Sequence, residues 1–336
     1  MNTITDKLNK LLETKEAIKT AIIRKNVAVA DSDPFSVYPS KIESITSGGG
    51  TGLDWSELGY DGTEEPFMSY LNYSKQIYDN WDIGQTDLNL KFSNDFNLII
   101  MPKVNTDNVT NMRYMFGSCR FLIQVPQLNT SNVTDMEGMF SGCEILKEIP
   151  QLDTSKVYNM KQMFANTFNL KAIPHINTGK VYDMSNMFNN CQQLETVPEL
   201  NTENVTDMNQ MFVSCYGLVN IPSLNTISCT NMDNMFAWCS ALQSVGKLNA
   251  YNLTSATSMF ESCTALTNLG GFTDLSVNLD LSSCTSLTAE SIMNVINEAK
   301  DLSSEGSATL TLASTNVEKL TEDQIAVATA KGWTIA

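Results

Sequence analysis

The chain is short of histidine, of positive charge and of long apolar runs, and each shortage closes a class of function. His175 is the only histidine in 336 residues, so any histidine-dependent triad or dyad would have to be built around it. Lys and Arg number 21 against 37 Asp and Glu, for a formal net charge of −16. That balance opposes nucleic-acid binding, where affinity depends on cations displacing counterions from phosphate. It equally opposes docking on anionic lipid. No segment reaches the ~20 apolar residues a membrane-spanning helix needs. The eight cysteines form no CxxC cluster, so a zinc site is not expected. No glycine loop is followed by Lys-Ser or Lys-Thr, which removes the common phosphate cradle. The first residues, Met1 to Asp6, open a charged amphipathic segment without an apolar signal-peptide core. That predicts a protein made and kept in a cytoplasm, or assembled there before release.

What is present is a count of 24. Met-Phe recurs at Met115-Phe116, Met139-Phe140, Met163-Phe164, Met187-Phe188, Met211-Phe212, Met235-Phe236 and Met259-Phe260 without slippage. A fixed period of this length marks a solenoid, whose units bury their apolar faces against one another. Met136, Met139 and Phe140 are spaced i, i+3, i+4, which predicts one helical turn per unit. Leu146, Ile149 and Leu152 predict a short extended segment, with Pro150 restricting its ladder. Asn105, Asn129, Asp153, Asn177, Asn201, Asn225 and Asn249 hold the following turn, where such side chains bond nearby backbone. Stacked copies could also form an amide ladder. Cys119, Cys143, Cys191, Cys215, Cys239 and Cys263 share one column with Thr167, and Cys229 stands in a valine column; both patterns point to packed free thiols. The fold class expected is an α/β repeat solenoid, leucine-rich-repeat-like, of 24-residue units with one short strand and one helical turn.

Five regions follow: residues 1–47, 48–52, 53–91, 92–287 and 288–336. In the first, Ile4, Leu8, Leu11, Ile18 and Ile22 form a short a/d seam, either an oligomerising and attaching helix or an amphipathic helix on its own domain. The second is a glycine-rich hinge. The third is aromatic-rich and reads as the N-terminal cap of the stack. The last reads as a β-α-β cap: a helix opened by Thr288, a strand near Ala308, a helix opened by the capping box Thr321 to Gln324, and a strand at Trp333 to Ile335.

The unit Asn-Val-Thr-Asp-Met-x-x-Met-Phe-x-x-Cys-x-x-Leu-x-x-Ile-Pro, from Phe92 to about Leu287, resembles the BspA-like leucine-rich repeats of bacterial surface proteins. That resemblance implies a β-lined solenoid used for adhesion and binding. Lys7 to Ile22, Pro34 to Ile42 and Leu320 to Ile335 look like tail proteins of bacteriophages infecting gut bacteria. This likeness, with the missing signal segment, implies a virion tail or tail-fibre component made in the host cytoplasm and released by lysis. The alternative is a bacterial adhesin or scaffold. On either reading the protein is not an enzyme and needs no cofactor or metal. Its expected partners are tail proteins and a host-surface protein or glycan, without nucleic acid or membrane insertion, and it is expected to form a homo-oligomer, trimers included. Core columns of a solenoid recur while outward ones vary. Candidate binding residues are therefore the departures Phe121, Lys147, Lys171, His175, Glu195, Glu199, Tyr216 and Trp238.

Overall fold

The computed structural model describes residue 77, residues 80–82 and residues 84–336. The seam Ile4, Leu8, Leu11, Ile18 and Ile22, the glycine hinge and most of residues 53–91 lie outside the described residues. The chain divides into two compact units: Met1–Asp82 with Asn97–Val104 and Gln124–Pro126, and the remainder. Of the first unit, the described part holds a parallel bridge between Ile100 and Gln124, with Leu98, Ile100 and Met101 buried. Everything below concerns the second unit.

Its register is the sequence period made physical. Parallel bridges run Asp87, Asn111, Asp135, Asn159, Asp183, Asp207, Asn231, Ser255, each step one repeat. Each carboxylate or amide at this position folds back to accept its own backbone N–H two residues on, as Asp135 does from Glu137 at 2.9 Å and Asp207 from Asn209 at 2.8 Å.

The Met-Phe segment is not the helical turn that its i, i+3, i+4 spacing predicts. Two residues in each unit have positive φ, for example Gln162 (+56°) and Asn166 (+60°), then Asn186 (+59°) and Asn190 (+60°). A right-handed helix excludes that conformation. The backbone instead alternates two kinds of bond. Met163, Ala165 and Thr167 donate three residues back within the unit, closing β-turns. Met160, Gln162, Phe164 and Asn166 donate to the next unit, to Asp183, Ser185, Met187 and Asn189. Turn closure and rung stacking thus share one segment, and its donors are used either inward or upward. Met and Phe still fall on one buried face, because two consecutive tight turns return side chains to the same side as a helix would. The phenylalanines form a ladder from Phe92 to Phe260, with ring centroids 5.4–5.8 Å apart and planes within 18°. Offset stacks at this separation add to the apolar burial.

The expected strand in every unit is also corrected. Among the described residues, regular strands of the stack occur only late: β1 (Ser244–Val245) pairs with β3 (Asn268–Leu269), and β2 (Leu248–Asn249) with β4 (Phe272–Thr273), all parallel. Earlier units carry proline at one fixed place, at Pro150, Pro174, Pro198 and Pro222, where the last two carry Gly246 and Gly270. Proline has no N–H to give to the preceding rung. Gly270 has one, and donates it to Val245 O at 3.0 Å.

In the proline-bearing units a buried threonine joins the rungs. The Thr154 hydroxyl donates to Asn177 O (2.8 Å) and accepts from Asn177 N (2.7 Å). Thr178 and Thr202 donate in the same way at 2.9 Å. The turn asparagines act as expected on their own backbone, Asn177 accepting from Gly179 N at 3.0 Å. From Asn129 to Asn249, among the described residues, their column shows no regular amide ladder. Cross-rung amide bonds come instead from Asn132, Asn204 and Asn252, which reach carbonyls of the preceding unit at 2.7–2.9 Å.

The C-terminal region closes the stack with β5 (Leu279–Leu281), α1 (Ala289–Glu298), β6 (Ala308–Leu312), α2 (Ser314–Val317), α3 (Glu322–Ala330) and β7 (Trp333–Ile335). The strands form a parallel sheet in the order β5-β6-β7. Thr288 caps α1, and Thr321 with Gln324 completes the capping box of α3. The short α2 goes beyond the elements read from sequence. Its buried Asn316 donates to Cys284 O at 2.7 Å, and Lys319 to Leu287 O at 2.6 Å, satisfying carbonyls that have no further rung above them. Lys331 likewise covers Asn297 O and Ala299 O, both at 2.7 Å, at the C-terminus of α1. Among the described residues no helix is long and apolar enough to cross a membrane.

Candidate binding surface

The eight sequence-selected residues lie on several outward columns rather than at one point. Lys147, Lys171 and Glu195 share one column on consecutive rungs, and His175 and Glu199 share another four residues further on. All five are exposed. Lys171 and Glu195 are the one pair among the eight that meet, at 3.0 Å, and both are too exposed for the pair to stabilise the fold much. His175 takes part through its carbonyl, which accepts from the Gln151 side chain at 2.6 Å. Phe121 is half-buried and lies edge-on to Phe96 at 6.5 Å. Tyr216 and Trp238 are 43% and 48% exposed. Trp238 also sits at φ +66°, in a column that elsewhere carries Ser, Asn or Gly. A bulky side chain there is strained, and its backbone is fixed by a 2.7 Å bond to Glu261 O.

Two groups of interest were not selected from sequence. Glu137, nearly buried, accepts from Arg113 (2.9 Å), Asn159 (3.1 Å) and the Tyr114 hydroxyl (3.3 Å), while Tyr114 also meets Gln162. The Tyr114 ring lies over Gly138, where a Cβ would come within 2.1 Å of it. Burial first, and then the charge of Glu137, raises the Tyr114 pKa. Every member has partners, so this is a satisfied network spanning three rungs. The other group is Tyr158 and Tyr182, 42% and 47% exposed and stacked at 5.9 Å. Its sequence signal was the replacement of Asn-Val-Thr by Lys-Val-Tyr in two neighbouring copies.

The thiols are packing groups. All eight cysteines are free and buried. In the repeat column each Sγ donates to the phenylalanine carbonyl one rung earlier, as Cys191 does to Phe164 O at 3.0 Å and Cys215 to Phe188 O at 3.1 Å. Burial pushes Cys119, Cys191 and Cys239 up to about 12 and Cys229 to about 11. At neutral pH these groups are thiols, not the nucleophilic thiolates that cysteine chemistry requires. No group of three or more His, Cys, Asp or Glu converges to hold a metal among the described residues.

Comparison with curated proteins finds no match. Among solved structures, a leucine-rich repeat protein from Bacteroides ovatus is similar at 13% identity, over 75% of this chain and 87% of that one, with a TM-score of 0.28. A likeness that distant carries no argument. The model of a family described as "Mycoplasma protein of unknown function, DUF285" matches residues 64–173 and 165–272. Those matches take in more than half of the sequence, and the chain belongs to the DUF285 family.

Proposed function

We propose that this chain is a non-enzymatic binding protein whose repeats hold variable side chains on a stiff stack for contact with a protein or glycan at a cell surface. One observation carries the reading. Within each rung the buried columns keep Met, Phe and Cys, while exposed columns on the same bonded backbone change from Lys to Glu to Gln. Repeat solenoids use such outward variation for recognition. The test is saturable binding of labelled full-length protein to intact gut bacteria and to their purified envelopes. Binding to neither would remove the reading.

Within it we propose a place in a virion: a phage tail or tail-fibre component, made in the host cytoplasm and docked through residues 1–47 to neighbouring tail proteins as a homo-oligomer. Its support is the likeness of residues 7–22, 34–42 and 320–335 to phage tail proteins. Mass spectrometry of purified virions should find the chain. Light scattering should give an oligomer that dissociates when residues 1–47 are deleted, and a monomeric full-length protein would exclude that role for the seam. The alternative, a bacterial adhesin or scaffold, is supported by the resemblance of the repeats to BspA-like surface proteins. Genes for portal, tail or capsid proteins beside this one separate the two.

A further inference from the structure

In one triplet of the repeat, two adjacent copies make the same double replacement. In three copies it reads Asn-Val-Thr, as at Asn132-Val133-Thr134 and Asn204-Val205-Thr206, and Ser228-Cys229-Thr230 and Asn252-Leu253-Thr254 keep the threonine; in two consecutive rungs it reads Lys156-Val157-Tyr158 and Lys180-Val181-Tyr182. The valines are buried and the flanking lysines and tyrosines exposed: each lysine lies in a tight turn closed by the valine N–H onto Thr154 O or Thr178 O at 3.0 Å, two residues before its tyrosine. The result is a two-by-two array, a column of amines beside a column of phenols.

The array is held from below. Tyr158 N donates to Thr134 O (3.0 Å), Tyr182 N to Tyr158 O (3.0 Å), and Thr206 N to Tyr182 O (2.9 Å). The rings are within 8° of parallel. The Lys156 amine reaches the Asn132 side chain at 2.8 Å, while Lys180 makes no hydrogen bond or ion pair among the described residues. Asp183, next to Tyr182, is already engaged, accepting from the Ser185 amide (2.8 Å) and hydroxyl (2.7 Å). On the following rung the same two columns carry Asn204 and Thr206, and the strip ends there.

We propose that Lys156, Tyr158, Lys180 and Tyr182 form a binding site for an acidic glycan running along the stack. This rests on the reading of the chain as a binding protein and names the ligand class for one of its surfaces. Rigid tyrosines give a flat amphipathic contact at little entropic cost, with a hydroxyl to bond sugar oxygens. The two lysines stand on adjacent rungs, whose backbones are about 4.8 Å apart, so their amines can reach one acid group or take one from each of two consecutive sugars. Lysine supplies a point charge suited to an anion that arrives without fixed geometry. The distant part of the net charge of −16 is screened beyond about 8 Å at physiological salt. The carboxylates that do face the array are Asp153 beside Lys156, and Asp183, Asp135 and Glu137 near Tyr182; Asp183 and Asp135 accept from their own backbone and Glu137 from Arg113 and Asn159. The net charge does disfavour nucleic acid, which needs a longer cationic track than two amines.

The test restores the repeat. In the full chain, Lys156→Asn, Tyr158→Thr, Lys180→Asn and Tyr182→Thr together recreate the Asn-Val-Thr that neighbouring rungs already fold with, and an unchanged melting curve verifies the stack. Wild-type protein is expected to bind immobilised polygalacturonate or dextran sulfate, carrying carboxylate and sulfate respectively, and not neutral dextran. The restored variant should bind about tenfold or more weakly. The pair Tyr158→Thr with Tyr182→Thr should lose affinity at constant charge. Failure to bind either acidic polymer, equal binding by the restored variant, or equal binding to poly-glutamate would overturn the assignment, the last pointing to an acidic peptide. Cell binding that survives restoration removes this site and leaves the broader function standing. Polygalacturonate binding without cell binding does the reverse.

Discussion

Rungs 129–224 and rungs 225–272 share one register but are joined differently. In the first group proline interrupts the backbone ladder and a threonine hydroxyl supplies the missing link, Thr154 giving and taking a bond with Asn177. In the second, glycine replaces proline and β1–β4 pair through backbone. Thr226, which follows Pro222, still gives and takes a bond with Asn249 at 2.8 and 2.7 Å. After Gly246, Ala250 replaces the threonine, and its own N–H reaches Thr273 O at 2.8 Å. What both groups share is the other side of the rung: the alternating turn bonds, the phenylalanine ladder and the cysteine-to-carbonyl contacts. The stack is therefore set by its turn side, and the strand side has two interchangeable solutions.

That contrast can be broken most strongly on the shared side. Phe164→Ala removes a ring stacked on both neighbours and should cost about 3–5 kcal/mol, with Phe236→Ala costing the same despite the strands beside it. Urea melts measure both; a much smaller loss at Phe236 would show that β1–β4 carry the late rungs alone. Next come changes confined to one group. Gly270→Ala places a Cβ 2.5 Å from Lys247 N and should cost about 1–3 kcal/mol by overpacking. Thr154→Val leaves the Asn177 amide and carbonyl without their hydroxyl partner, again about 1–3 kcal/mol. Gly246→Ala meets nothing within 4 Å and should stay within about 0.5 kcal/mol, which makes it the control for Gly270.

The thiols give the smallest effect at neutral pH and a growing one above it. Burial favours the neutral form, raising Cys119, Cys191 and Cys239 from 9.0 to about 12. A group whose folded value is raised contributes its stability below the unfolded value and loses it as pH climbs toward the folded one. Melting temperature should thus be insensitive to these groups below about pH 9 and fall progressively toward pH 12. Native protein should also resist thiol reagents that label it fully once unfolded. Fast labelling in the native state would show that the rungs open.

Much of this was legible in the chain. The period gave the register, because a solenoid that buries its units against one another cannot slip without exposing every column. The caps of α1 and α3 were readable because Thr288 and the Thr321–Gln324 box act within four residues of themselves. The helical turn was misread because apolar spacing reports which side chains share a face and not the sign of φ that brings them there. Asn186, Asn190, Gln162 and Gly138 in the positive-φ columns were the clue, but Tyr114 and Trp238 occupy the same columns and obscure it. Of the candidate surface, Lys171 and Glu195 were placed side by side by the period alone.

By itself, then, the sequence determined the repeat, the buried columns and the packing role of the cysteines, since all three follow from which residue types recur every 24 positions. Only the tertiary structure decided how the rungs are bonded, since that depends on where each N–H finds an acceptor on the neighbouring copy. It also decided which departures face outward together. Lys156, Tyr158, Lys180 and Tyr182 come together only when two copies are stacked a strand's spacing apart, with Val157 and Val181 buried between them.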